Sequence, residues 1–253
     1  MRELNPSYKQ AEPLSTMFKI LVFPTKYTYA GRAMTIPFYN PYDLLGLFLG
    51  LLGPAEQGAN QYNYFLPLSA VYARWCSRLA GKGKGGPQPA GVGPWPFMFQ
   101  CSWRPLSNAD PRRIFFLGAS LGGDDFSKEG RGDAWREALQ RRRFDVAFRS
   151  AEHVLFLQDE FNNITDVVAG AKNNPGNCAE TYTFTHTVQS VKTDNRALHG
   201  LALRRDLLIK KKFPTTYDES HYRGQLSGPC PTCAHALGRA GGVEANFKNG
   251  ASG

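Results

Sequence analysis

Two short stretches, Pro175-Gly176-Asn177-Cys178-Ala179-Glu180 and Pro229-Cys230-Pro231-Thr232-Cys233, decide how this chain is read. Together they offer three thiols and one carboxylate. Cys230 and Cys233 have the Cys-x-x-Cys spacing that presents two sulfurs to one metal ion. Tetrahedral zinc takes cysteine sulfur readily, and a catalytic zinc keeps three protein ligands plus one position for water. Three thiols fill those three places and leave the fourth open. Glu180, two residues after the first thiol, is a part that a purely structural site does not need.

The order Cys-Ala-Glu, then a Pro-led Cys-x-x-Cys, resembles the signature of the zinc-dependent cytidine-deaminase-like superfamily: His or Cys, Ala, Glu and later Pro-Cys-x-x-Cys. Cys178, Ala179, Glu180, Pro229, Cys230 and Cys233 occupy every signature position. The resemblance implies an α/β fold, a cytidine-deaminase-like α/β/α sandwich around a central mixed sheet. In it the N-termini of two helices present the ligands. It also implies that Cys178, Cys230 and Cys233 hold Zn2+ as thiolates. Glu180 would be the catalytic acid–base, and the flanking Asn177, Ala179 and Pro229 would contact substrate. The implied reaction is hydrolytic deamination of a nucleobase, cytosine to uracil by default. Glu180 would take a proton from the attacking water and return protons to the ring nitrogen and the leaving ammonia. Three thiolates leave such a site at net −1, so a nearby donor is expected to offset that charge.

A Cys first ligand is similar to the free-nucleoside enzymes of that superfamily. A basic, aromatic-rich extension tilts the reading toward a base within a nucleic acid, DNA or RNA, with a free nucleoside or nucleotide as the alternative. The 253 residues carry 30 Lys/Arg against 21 Asp/Glu, a net charge of +9 that favours an anionic partner. Ten of those cations and only four of the anions lie within residues 1–108. Lys26-Tyr27-Thr28-Tyr29 and Tyr72-Ala73-Arg74-Trp75 interleave cations with aromatics, a pattern that can track phosphates and stack bases. Arg141-Arg142-Arg143 and Lys210-Lys211-Lys212 read as solvated charge.

Hydrophobic content of 42% and aromatic content of 13% are values of a globular chain. The longest apolar run, Leu44 to Leu52, is too short to cross a bilayer, which needs about 20 residues. With no apolar signal-peptide core at the start, an intracellular protein, cytoplasmic or nuclear, is expected. Cys76 and Cys101, the two cysteines left after the proposed site, then read as buried thiols.

The chain divides on this reading into an N-terminal α+β extension (1–118), a Gly/Asp-rich linker (119–131) and a zinc deaminase-like domain (132–253). Strands are expected over Phe18–Phe23, Ala33–Phe38, Phe97–Trp103 and Arg112–Leu117, and helices over Pro41–Leu52 and Pro67–Leu79. In the second helix Val71, Trp75 and Leu79 fall four apart on one face. The Gly81–Pro96 stretch is not a P-loop, because no Lys-Ser or Lys-Thr closes it. Beyond the linker the expectation is a helix over Gly132–Arg143, strands Phe144–Phe148 and His153–Leu157, and then the Cys-Ala-Glu segment. Tyr182 to Val188 admits both strand and helix periods, and the deaminase reading needs the helix. Leu198–Leu203 or Leu207–Ile209 is the candidate core strand before the second motif. A helix to about Arg239 and a strand Val243–Phe247 end the chain.

Two rivals come from the residues themselves. Gly118-Ala119-Ser120-Leu121-Gly122 matches the Gly-x-Ser-x-Gly elbow of serine hydrolases, with Ser120 as nucleophile. The other keeps the zinc but makes it structural, with His235 or His186 as a fourth ligand in a binding module.

Overall fold

The structure, a computed structural model, describes residues 26–80, 95–121, 132–149, 155–172, 174–189, 195–205 and 226–247. Among them, a short hairpin pairs β1 (Tyr27–Tyr29) with β2 (Arg32–Met34). The principal sheet has four strands in the order β4-β3-β5-β6. These are β3 (Met98–Pro105), β4 (Arg113–Ala119), β5 (His199–Arg204) and β6 (Leu226–Ser227). Every described ladder is antiparallel, so among the described residues the fold is α/β with two antiparallel sheets, where a mixed sheet was expected.

Alternation along the strands builds two different faces. Phe99, Cys101, Trp103, Phe115, Leu117, Leu201 and Leu203 point to one side. There they share a core with Leu66, Tyr72, Ala73 and Cys76 of helix α2 (Leu66–Leu79). Gln100, Ser102 and Arg104 alternate with them and are equally buried, under helix α5 (Glu180–Gln189). Helix α1 (Pro41–Gly50) lies along the outer edge of β4, so close that a Cβ at Gly46 would meet the Leu117 carbonyl. It thereby covers an edge that would otherwise offer unpaired backbone groups. Helices therefore flank both faces of the sheet.

Helix α5 resolves the ambiguous period. Thr181, Thr183, Thr185 and Thr187 are all buried, and so are the alternating Tyr182, Phe184, His186 and Val188. A helix buried on every side has no polar stripe, so its sequence can alternate like a strand. The threonine hydroxyls are satisfied within the helix: Thr185 donates to the Thr181 carbonyl at 2.7 Å and Thr187 to that of Thr183 at 2.5 Å. That removes the cost of burying them bare.

Several expectations need correction. Phe144–Phe148 is no strand: one helix, α3 (Gly132–Arg149), runs straight through it, because Leu139, Arg143 and Ala147 continue a buried i, i+4 row. Leu155–Leu157 is irregular, with 153 and 154 outside the described residues. A helix, strand, strand order does occur earlier, as α2, β3 and β4, with two further helices between it and Cys-Ala-Glu. β3 pairs with both β4 and β5, on either side of 119–131 in the chain. The face of α2 with Val71 and Trp75 looks outward, at 44% and 49% exposure. Val243–Phe247 is not a strand either. Glu244–Phe247 is a 3-10 turn whose Phe247 ring packs beside Gly200 and Phe184. The strand expected at Phe18–Phe23, the basic run at Lys210–Lys212 and the alternative Leu207–Ile209 lie outside the described residues. No described helix is long and apolar enough to cross a membrane.

Candidate metal and acid–base site

Helices α5 and α6 (Pro231–Arg239) begin beside one another, and the two motifs sit at their N-termini. Cys230 is the N-cap of α6, and Cys233 lies in its first turn. Cys178 comes two residues before α5. The sulfurs of Cys178, Cys230 and Cys233 all lie within 4.8 Å of one another, with Cys178 Sγ 3.6 Å from Cys230 Sγ. These three could hold a metal ion, and among the described residues no fourth ligand joins them.

The loop that delivers Cys178 depends on two close approaches. Gly176 has φ +90° and lies against α3 so tightly that a Cβ would stand 2.2 Å from the Gln140 carbonyl. At Gly118, in β4, a Cβ would come within 2.4 Å of the Ala179 carbonyl. Leu121 N–H then donates to the Asn177 carbonyl at 2.9 Å, tying the end of β4 to the motif. Gly118 of the suspected elbow is thus the floor under Ala179.

Electrostatics distribute the charge unevenly over the thiols. Cys230 is held far below the ordinary thiol range, to about 3. Hydrogen bonds from the Cys178 and Cys233 thiols contribute most, and the N–H groups of Cys233 and Thr232 add to them. A thiolate at a helix N-terminus is where such N–H groups and the helix dipole favour negative charge. Cys178 and Cys233 move the opposite way, Cys178 chiefly through its hydrogen bond with Cys230, Cys233 chiefly through that with Cys178 and then with Cys230. Glu180 is buried and lines the same cleft as Cys178 and Cys233. Burial first, then the charge on Cys230, lift that carboxyl to about 7. A carboxyl poised near neutrality can both take and give a proton.

Arg143, taken from sequence as solvated charge, is wholly buried and is the cation nearest this cluster in function. Its guanidinium donates to the carbonyls of Cys178 at 3.1 Å and Ala119 at 2.9 Å, and pairs with buried Asp43 at 3.3 Å. Burial outweighs Arg143 and raises the Asp43 carboxyl to about 6. The sequence held two signals for this pair: Arg143 falls four residues after buried Leu139, and Asp43 is the one acid in an apolar helix. A second buried acid, Glu160 in helix α4 (Glu160–Val167), fixes α6 from outside. It accepts from His235 at 3.0 Å, Arg239 at 2.8 Å and Leu157 N–H at 2.7 Å.

Cys178, Cys233 and Glu180 line a small cleft of about 10 Å³, room for a single water, together with Leu155, Phe156 and Phe184. Asn177, Ala179 and Pro229 do not line it. Asn177 accepts from Arg136 at 3.0 Å, and Ala179 is buried against β4. The interleaved runs go elsewhere too. Tyr27 and Tyr29 pack around His186 with Phe38 and Phe116, and Tyr72 donates to the Tyr42 carbonyl at 3.0 Å. Ser120 Oγ accepts from the N–H groups of Phe97 and Met98, at 3.2 and 3.0 Å, as a strand-end clamp. His235 is engaged by Glu160, and His186 by Tyr27 and the Tyr182 carbonyl, so neither histidine joins the thiols.

No family model, no curated protein and no solved structure matches this chain.

Proposed function

We propose that the chain is a zinc-dependent hydrolytic deaminase acting on a nucleobase, with cytosine as the first substrate to test and a nucleic acid as its carrier. The observation that carries this reading is Glu180. A structural thiol site has no use for a buried carboxyl beside its sulfurs. A deaminase needs one there.

The thiol cluster fits zinc. Tetrahedral Zn–S bonds of about 2.3 Å put sulfurs about 3.8 Å apart, close to the 3.6 Å between Cys178 and Cys230. Cys178, Cys230 and Cys233 would hold the zinc, which would supply the Lewis acidity that makes a water acidic enough to attack near neutral pH. Glu180 takes the proton of the attacking water and places it on the ring nitrogen. A second proton passes through the same carboxyl to the departing amine, so base and water become the keto base and ammonia. Arg143 steadies the carbonyl of Cys178 and lends positive charge to a cluster that three thiolates make anionic. The presentation of the motifs from two helix N-termini, with helices on both faces of the sheet, supports a cytidine-deaminase-like sandwich in which the antiparallel β6 is a departure.

Metal analysis paired with an ammonia-release assay on cytosine in nucleoside, single-stranded and duplex form tests the proposal. Glu180→Ala is expected to keep its zinc and lose at least a hundredfold in turnover. Equal function in the two proteins would favour a structural zinc module instead.

A further inference from the structure

The cleft over the thiols, at about 10 Å³, has room for one water, whereas pockets that take a small organic ligand run to about 300 Å³ or more. A nucleobase therefore reaches Cys178, Cys233 and Glu180 only if a wall of the cleft gives way. Most of its walls are pinned. Helix α5 is buried on every side. The motif loop is tied to α3: Gly176 lies against the Gln140 carbonyl, and Gln140 Nε2 donates to the carbonyls of Asn174 at 2.6 Å and Pro175 at 3.2 Å. The remaining wall, Leu155 and Phe156, is irregular. Among the described residues neither of the two makes a backbone hydrogen bond.

What holds this wall in register is Glu160, whose side chain is 1% exposed. Its Oε2 accepts at 2.7 Å from the N–H of Leu157, the residue next to Phe156. Its Oε1 accepts from His235 at 3.0 Å and from Arg239 at 2.8 Å, both on α6, the helix that carries Cys233. One buried carboxylate thus spans the cleft, with one oxygen on the wall and the other on the thiol-bearing helix. Phe156 also packs beside Phe144, ring centres 5.9 Å apart. Apolar packing is non-directional and tolerates a small slide, whereas hydrogen bonds weaken steeply as their angle opens. The Glu160 bonds therefore set where the wall stops.

We propose that Glu160 is the positioning residue that sets the gap between the Leu155–Phe156 wall and the thiols. A planar ring the size of a nucleobase enters only when the bond between Leu157 and Glu160 opens, while a water needs no such opening. Glu160 thereby governs which molecules meet Cys233 without touching them itself. This rests on the deamination reading for the identity of the ring, and on the geometry of wall, latch and helix alone for access.

The test labels the cysteines of the full-length protein, as purified and with its metal content measured. Substoichiometric iodoacetamide, small and flexible, is compared with N-methylmaleimide, a planar ring, and mass spectrometry resolves the sites. Cys230, which does not line the cleft, is the reference. Cys76 and Cys101, buried against the other face of the sheet, report any general loosening. In the wild type, the maleimide should label Cys233 less, relative to Cys230, than iodoacetamide does. Glu160→Ala should raise maleimide labelling of Cys233 roughly tenfold, the scale set by losing hydrogen bonds to a charged acceptor, and leave Cys76 and Cys101 unchanged. Arg239→Met, at a side chain 28% exposed, removes one tie and should give a smaller rise in the same direction. It decides the matter if Glu160→Ala fails to fold. Unchanged Cys233 labelling in the folded variants overturns the latch, as does a rise shared by Cys76 and Cys101, or a wild type without size discrimination. The two proposals fail separately. Ammonia release from cytosine with Cys233 labelling indifferent to Glu160 sinks the latch alone. Size-selective labelling that follows Glu160, with no ammonia from any base, sinks the deaminase alone.

Discussion

Arg143 and Asp43, each without measurable exposure, meet with Nε 3.3 Å from Oδ2, a hundred residues apart in the chain. One pair thereby joins α3 to α1, while the same guanidinium holds the carbonyls of Ala119 and Cys178. Removing one partner strands a charge in the interior. Arg143→Met is expected to cost about 3–5 kcal/mol, and Arg143→Met with Asp43→Leu appreciably less. Urea unfolding reads both, and a single variant with the wild-type midpoint would refute the keystone role.

Gly118 and Ser120 belong to one motif but bear different loads. Gly118→Ala drives a methyl into the Ala179 carbonyl, so it should displace the first thiol and lower zinc occupancy. Ser120→Ala loses only two accepted hydrogen bonds, about 1 kcal/mol of stability, and should leave hydrolysis untouched. Loss of all activity in a well-folded, zinc-replete Ser120→Ala protein would revive the serine nucleophile.

His186 is buried among Tyr27, Tyr29, Phe38 and Phe116, stacked 3.9 Å from the last. Its Nδ1 lies 3.0 Å from the Tyr182 carbonyl and so must donate, leaving Nε2 to accept from the Tyr27 hydroxyl. Burial depresses its pKa from 6.5 to about 3. The unfolded chain therefore takes up a proton that the fold refuses. The stability is fully present above pH 6.5 and is lost as pH falls toward 3, at up to about 1.4 kcal/mol per unit. His186→Gln should flatten that part of the stability–pH curve. A slope identical to the wild type would show that His186 is not the group responsible.

Metal removal exposes a redox liability. With Cys178 Sγ 3.6 Å from the low-pKa sulfur of Cys230, a chelated protein treated with diamide should form the Cys178–Cys230 disulfide, diamide being reduced to its hydrazine. Two free thiols should disappear by mass spectrometry under non-reducing conditions, and zinc added beforehand should prevent it. Equal oxidation with and without zinc would mean that the ion does not sit on these sulfurs.

The candidate site was more legible in the sequence than the sheet that supports it. Cys178, Cys230, Cys233 and Glu180 stand in local motifs whose spacing is set by helix N-termini, and the structure gathers all four. Pro41, Leu66–Leu79 and Pro231 also open or fill helices where pattern and capping point. What escaped was non-local. Nothing in Phe97–Trp103 announces that β5 will pair with it from the far side of the chain, so residues 1–118 read as an appendage. Threonine alternation hid α5 because the helix is covered on all sides. Arg143 looked solvated beside Arg141 and Arg142, since a triplet of cations conceals which one turns inward.

The strand order also sets a schedule for biogenesis. As the chain leaves the ribosome, β3 and β4 can zip together at once across a short connection, but the other flank of β3 must wait for β5. Cys233 emerges later still. Until then the nascent protein carries Cys178 without its partners and a sheet open along one side, a window in which chaperones and reductants matter most. An ion held by these three sulfurs would close the structure rather than seed it.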